Sequence, residues 1–78
     1  MNVSAQVQDL IKKAKSLVSD GKYDEALEYI EDALSIEKNN PQIWNLRGIA
    51  LRSMGRYDEA IECFNKSLEI EPKDLNAS

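Results

Sequence analysis

Displaced by 34 residues, the chain matches itself. Gly21-Lys22-Tyr23-Asp24-Glu25-Ala26-Leu27-Glu28 aligns with Gly55-Arg56-Tyr57-Asp58-Glu59-Ala60-Ile61-Glu62, with six of the eight pairs identical. The register persists at Gln8/Gln42, Leu17/Leu51, Ser19/Ser53, Leu34/Leu68, Ile36/Ile70 and Glu37/Glu71. One unit therefore runs from about residue 7 to 40 and the next from 41 to 74, with 1–6 as an N-terminal extension and 75–78 as a tail. A fixed period of this length is the mark of a repeat architecture, in which each unit is too small to bury its apolar face alone and leans on its neighbour.

Each unit reads as two helices. Val7, Leu10, Ile11, Ala14, Leu17 and Val18 fall on one helical face. Tyr23, Ala26, Leu27, Ile30, Ala33 and Leu34 repeat that spacing, as do Tyr57, Ala60, Ile61, Phe64, Ser67 and Leu68. The segment from Pro41 to Met54 is apolar over a wider arc, through Ile43, Trp44, Leu46, Ile49, Ala50 and Leu51, which predicts packing on more than one side and the deepest burial of the four. Gly21 and Gly55 suit left-handed helix ends. Asn40-Pro41 suits an N-cap followed by proline at the first helical position. Pro72 stops the last helix, and Asp24-Glu25 and Asp58-Glu59 set negative charge against the positive end of a helix dipole. The expectation is an all-α fold of four helices, about 4–19, 22–37, 41–54 and 57–70, with neighbours antiparallel because the turns are short.

The period and these residues resemble the tetratricopeptide repeat. In the second unit the matching residues are Trp44, Gly48, Leu51, Gly55, Tyr57, Ala60, Phe64 and Pro72; in the first they are Ala14, Leu17, Gly21, Tyr23, Ala26, Ile30, Ala33 and Leu34, while Leu10 replaces the tryptophan and Lys38 the proline. The resemblance implies hairpins stacked as a short right-handed solenoid, and a binding module for a peptide or protein segment on a concave surface lined by the first helix of each unit. The groove positions it implies are Gln8, Ile11, Lys15 and Val18, then Gln42, Asn45, Ile49 and Arg52. Members that clamp the tails of heat-shock chaperones use polar side chains where Ile11 and Leu46 stand, so no such clamp is expected.

Charge sharpens this expectation. The net charge of the 78-residue chain is -4, but both first helices carry a net positive charge and both second helices a net negative one. Lys15 and Arg52 would then hold acidic groups of a ligand, with Asn45 and the glutamines bonding its backbone and Ile11, Val18 and Ile49 giving apolar contact. The competing explanation is that these cations only balance the acidic partner helices. A second reading of the whole is a homo-oligomerising scaffold: the face around Tyr57, Ile61, Phe64 and Leu68 would normally meet a further helix, and Leu75-Asn76-Ala77-Ser78 continues in phase as though a third unit began.

The remaining candidates have plainer readings. Tyr23 and Tyr57 read as core, and Trp44 as packing between the hairpins. Cys63, without histidine anywhere in the chain, reads as an inert, partly buried thiol, and no metal or cofactor site is expected. No catalytic set or glycine-rich phosphate loop appears, so no enzyme is expected. The acidic balance argues against nucleic acid. No apolar run reaches the roughly 20 residues that span a bilayer, so no membrane partner is expected and the location expected is the cytoplasm.

Overall fold

The computed structural model describes residues 3–72. It contains α1 (Val3–Ser19), α2 (Tyr23–Ile36), α3 (Pro41–Ser53) and α4 (Tyr57–Ile70), with no strand among the described residues. Residues 3–6, counted in the sequence as extension, form the first turn of α1. The tail 75–78 and the end of the second unit lie outside the described residues.

The helix ends follow from local chemistry. Gly21 and Gly55 have φ of 78° and 82°, the left-handed region that an L side chain rarely enters. Each closes its helix with the same pair of hydrogen bonds: Lys22 N–H donates to Leu17 C=O and Gly21 N–H to Val18 C=O, and Arg56 N–H donates to Leu51 C=O and Gly55 N–H to Arg52 C=O. This is the Schellman arrangement, which satisfies carbonyls the helix itself leaves unpaired. The α2–α3 connection is built differently. The Asn40 side chain accepts a hydrogen bond from Gln42 N–H at 3.0 Å, with Pro41 opening the helix behind it. Asn40 Nδ2 also donates to Glu37 at 3.0 Å, and Trp44 Nε1 donates to Lys38 C=O at 2.8 Å. The link between the units is thus pinned at both ends of its turn.

Hydrophobic burial then joins the hairpins. One core cluster holds Val7, Ile11 and Ala14 of α1, Ala26, Ile30 and Ala33 of α2, and Ile43, Leu46 and Ala50 of α3. Three of its residues therefore come from the second unit. A smaller cluster, Leu51, Ala60 and Cys63 with Trp44, Phe64 and Leu27 against it, joins α3 to α4. The α3 helix is buried on both sides, through Ile43, Leu46, Gly48, Ala50 and Leu51, as its wide apolar arc requires. The small residues set the spacing. A Cβ placed on Gly48 would lie 2.6 Å from the Phe64 ring, so the ring rests directly on the α3 backbone.

Candidate functional site

Helices α1 and α3 are the first helices of their units, and they touch directly. Short turns make each an antiparallel neighbour of α2, so they run parallel to each other. Gln8, Ile11, Lys15 and Val18 lie along one line of α1, and Gln42, Asn45, Ile49 and Arg52 along the equivalent line of α3. Gln8, Lys15, Gln42, Asn45 and Arg52 are exposed, and Val18 and Ile49 are half-buried.

Ile11 departs from the expectation of a ligand-facing side chain: it is only 2% exposed. It belongs to the cluster that receives Ile43, Leu46 and Ala50, so the second unit has taken the surface the first would have offered. Its counterpart Asn45 is exposed. Asn45 lines an open cleft of about 370 Å³ with Pro41, Gln42, Phe64, Ser67, Leu68 and Glu71. Gln42 and Asn45 thus share this cleft with residues of α4. The residues that α4 adds to the cleft were not on the implied ligand line, although the apolar spacing had marked Phe64 and Leu68 as needing a cover. Ser67, where the first unit has Ala33, is buried and donates from Oγ to Pro41 C=O at 3.1 Å.

The basic side chains fall into two groups. Arg47 looks inward: its Nε bonds Glu31 of α2 at 2.8 Å and its Nη1 bonds Cys63 Sγ of α4 at 3.1 Å. Burial would lower the pKa of this guanidinium, but the bonds to Cys63 and Glu31 outweigh that and raise it. Arg47 is therefore a permanent cation holding three helices. In the first unit the same slot holds Lys13, whose ammonium lies 5.6 Å from the Tyr29 ring centre. Of the two, Arg47, paired with Glu31 of α2, fits the charge-balancing explanation. Lys15 and Arg52 make no ion pair among the described residues. Lys15 is exposed, and so is Arg52, whose guanidinium lies 5.9 Å from the centre of the Phe64 ring.

Trp44, expected between the hairpins, is half-buried, donates its N–H to Lys38 C=O and packs against the Leu51, Ala60 and Cys63 cluster of its own unit. Cys63 is buried more completely than expected, at 1% exposure. Tyr23 is half-buried beside Met54, the end of α3. Tyr57 contradicts the expectation of a core residue, being 62% exposed, because no described helix stands beside α4 as α3 stands beside α2.

Among the described residues no group of three or more His, Cys, Asp or Glu side chains is placed to hold a metal ion. No described helix is long and apolar enough to cross a membrane. A family model for the tetratricopeptide repeat matches residues 7–50, and a second model of that repeat matches residues 41–74. No curated protein is significantly similar to the chain.

Proposed function

The chain belongs to the tetratricopeptide repeat family, whose units generally mediate protein–protein interaction, and from this premise we propose that it binds a peptide or protein segment along the paired lines of α1 and α3, with a preference for acidic sequences. The observation that carries this reading is the placement of Lys15 and Arg52. Both are exposed on the ligand line, whereas Arg47 is half-buried and bonded to Glu31 and Cys63. In a chain of net charge -4, a line whose only charges are positive is a local reversal of the global field. Gln8, Gln42 and Asn45 supply donors and acceptors for an extended backbone, and the half-buried Val18 and Ile49 supply modest apolar contact. Ile11 is left out of this surface, because a side chain sealed under α3 has nothing to offer a ligand.

The reading gives the chain no catalytic role, in keeping with a family of interaction modules and a sequence without histidine. It places the chain in the cytoplasm, where the buried Cys63 stays a thiol. The test is an array of peptides matched in length and hydropathy but differing in charge. Acidic peptides should bind best, and the paired substitution Lys15→Glu with Arg52→Glu should weaken them by about tenfold or more, since charge reversal at two solvated contacts removes attraction and adds repulsion. Equal binding of acidic and basic peptides by the unaltered chain would dispose of the proposal.

A further inference from the structure

Displacement by 34 residues makes Lys15 equivalent to Ile49 and Val18 equivalent to Arg52. Each cation of the ligand line thus has an apolar side chain as its counterpart on the other helix, and Val18 and Ile49 are both half-buried. These four residues lie in the C-terminal halves of α1 and α3, whereas the amides Gln8, Gln42 and Asn45 lie in the N-terminal halves. Charge and apolar contact are therefore confined to one end of the line. Within that end the two cations stand on different helices and on different turns. Packed helices have axes about 8–10 Å apart and three residues rise about 4.5 Å, so about 10 Å separates the two backbone positions. Val18 packs against the cluster that holds Ala50, which keeps α1 and α3 close at this end. The side chains widen the gap. The Arg52 guanidinium lies 5.9 Å from the centre of the Phe64 ring of α4, and among the described residues α4 touches α3 but not α1. Its charge is thus carried away from Lys15.

We infer, on the acidic-peptide reading of this line, that the surface reads spacing as well as charge: it takes an extended segment in which two acidic residues stand three or four positions apart with an apolar residue between them. An extended chain matches the gap at these separations. Three residues of a polyproline-type helix bring a side chain back to the same side after about 9 Å, and four residues of a strand do so after about 13 Å. The apolar residue falls toward Val18 and Ile49, which occupy the other diagonal of the same four-residue patch. Two adjacent acidic residues, or one alone, would satisfy a single cation. For both cations to meet one carboxylate, Arg52 would have to leave the Phe64 ring and give up the attraction between guanidinium and ring face.

The probes are peptides of one length and one composition, each with two glutamates and a single leucine in an otherwise neutral polar sequence. They are titrated into the isotopically labelled full chain, with the amide signals of α1 and α3 as readout. The glutamates stand adjacent, or three or four positions apart with the leucine between them. The separated set should bind about two- to fivefold more tightly than the adjacent set, the worth of one further solvated ion pair. Each glutamate should report on its own cation. Lys15→Gln should abolish the loss caused by replacing one glutamate of the peptide with glutamine, and Arg52→Gln the loss caused by replacing the other. Both positions are exposed, and unchanged helicity by circular dichroism shows that the variants are folded. Acidic peptides that bind better than basic ones without regard to spacing would overturn the inference and leave the acidic-peptide reading standing. So would both variants silencing the same glutamate, because the two cations would then share one carboxylate. Equal binding of acidic and basic peptides would remove the reading and the inference together.

Discussion

The repeat supplies its own comparison for single residues. Where the second unit pairs Gly48 with Phe64, the first pairs Ala14 with Ile30. The exchange conserves volume across a helix contact: a methyl group is gained on one side and a ring lost on the other. In the second unit the ring occupies the space a Cβ would need, at 2.6–2.9 Å. Gly48→Ala should therefore destabilise the fold even though alanine is the better helix former by about 1 kcal/mol, because overpacking costs typically about 1–3 kcal/mol. Adding Phe64→Ile should recover part of the loss by recreating the first unit's pair. Urea unfolding of the two single variants and the double variant measures the coupling. A strictly additive double variant would show that the ring and the missing Cβ are independent. Arg47 illustrates the other kind of residue information. Its charge was plain in the sequence, but its partners Glu31 and Cys63 each lie 16 positions away, and no periodicity signals which of several cations turns inward.

At the scale of elements, turn chemistry explains why the helix limits were readable. Glycine at 21 and 55, Asn40 before Pro41 and Pro72 each act through the backbone of their own neighbourhood. The expected limits accordingly agree with the observed helices to within about a residue, the precision at which helix ends are defined at all. The caps make a graded prediction. Asn40→Ala removes the acceptor for Gln42 N–H and should cost about 1 kcal/mol, read as a lower urea midpoint with unchanged slope. A neutral result would mean that water replaces the cap at no cost. What escaped the sequence was the consequence of one element lying beside another. Ile11 and Asn45 occupy equivalent positions, yet one is sealed and the other open, because α3 covers the first and no described helix covers the second. The same asymmetry separates half-buried Tyr23 from exposed Tyr57. Along the ligand line, sequence and resemblance together named residues that are mostly exposed in the structure, and the exception is the one whose surroundings depend on tertiary packing.

For the whole molecule, the decisive fact is that the larger core cluster is not contained in either unit. Ile43, with no exposed surface, belongs by sequence to the second hairpin and by contact to the core of the first. A chain of 78 residues has little stability in reserve, on the order of 0.05–0.15 kcal/mol per residue for folded domains generally. Truncating a buried isoleucine to alanine costs about 2–5 kcal/mol, a large share of that total. If the hairpins were independent, Ile43→Ala would loosen α3 and α4 and leave α1 and α2 folded. Because Val7, Ile11, Ile30 and Ile43 share one cluster, the variant should lose both hairpins together. Native-state hydrogen exchange resolves the two cases. Amides at the centres of α1 and α4 should lose protection by the same free energy, since a shared core opens as one cooperative unit. Protection retained in α1 while α4 exchanges freely would mean that the first hairpin stands alone, and the interlocking of the units would then be a matter of contact without energetic consequence.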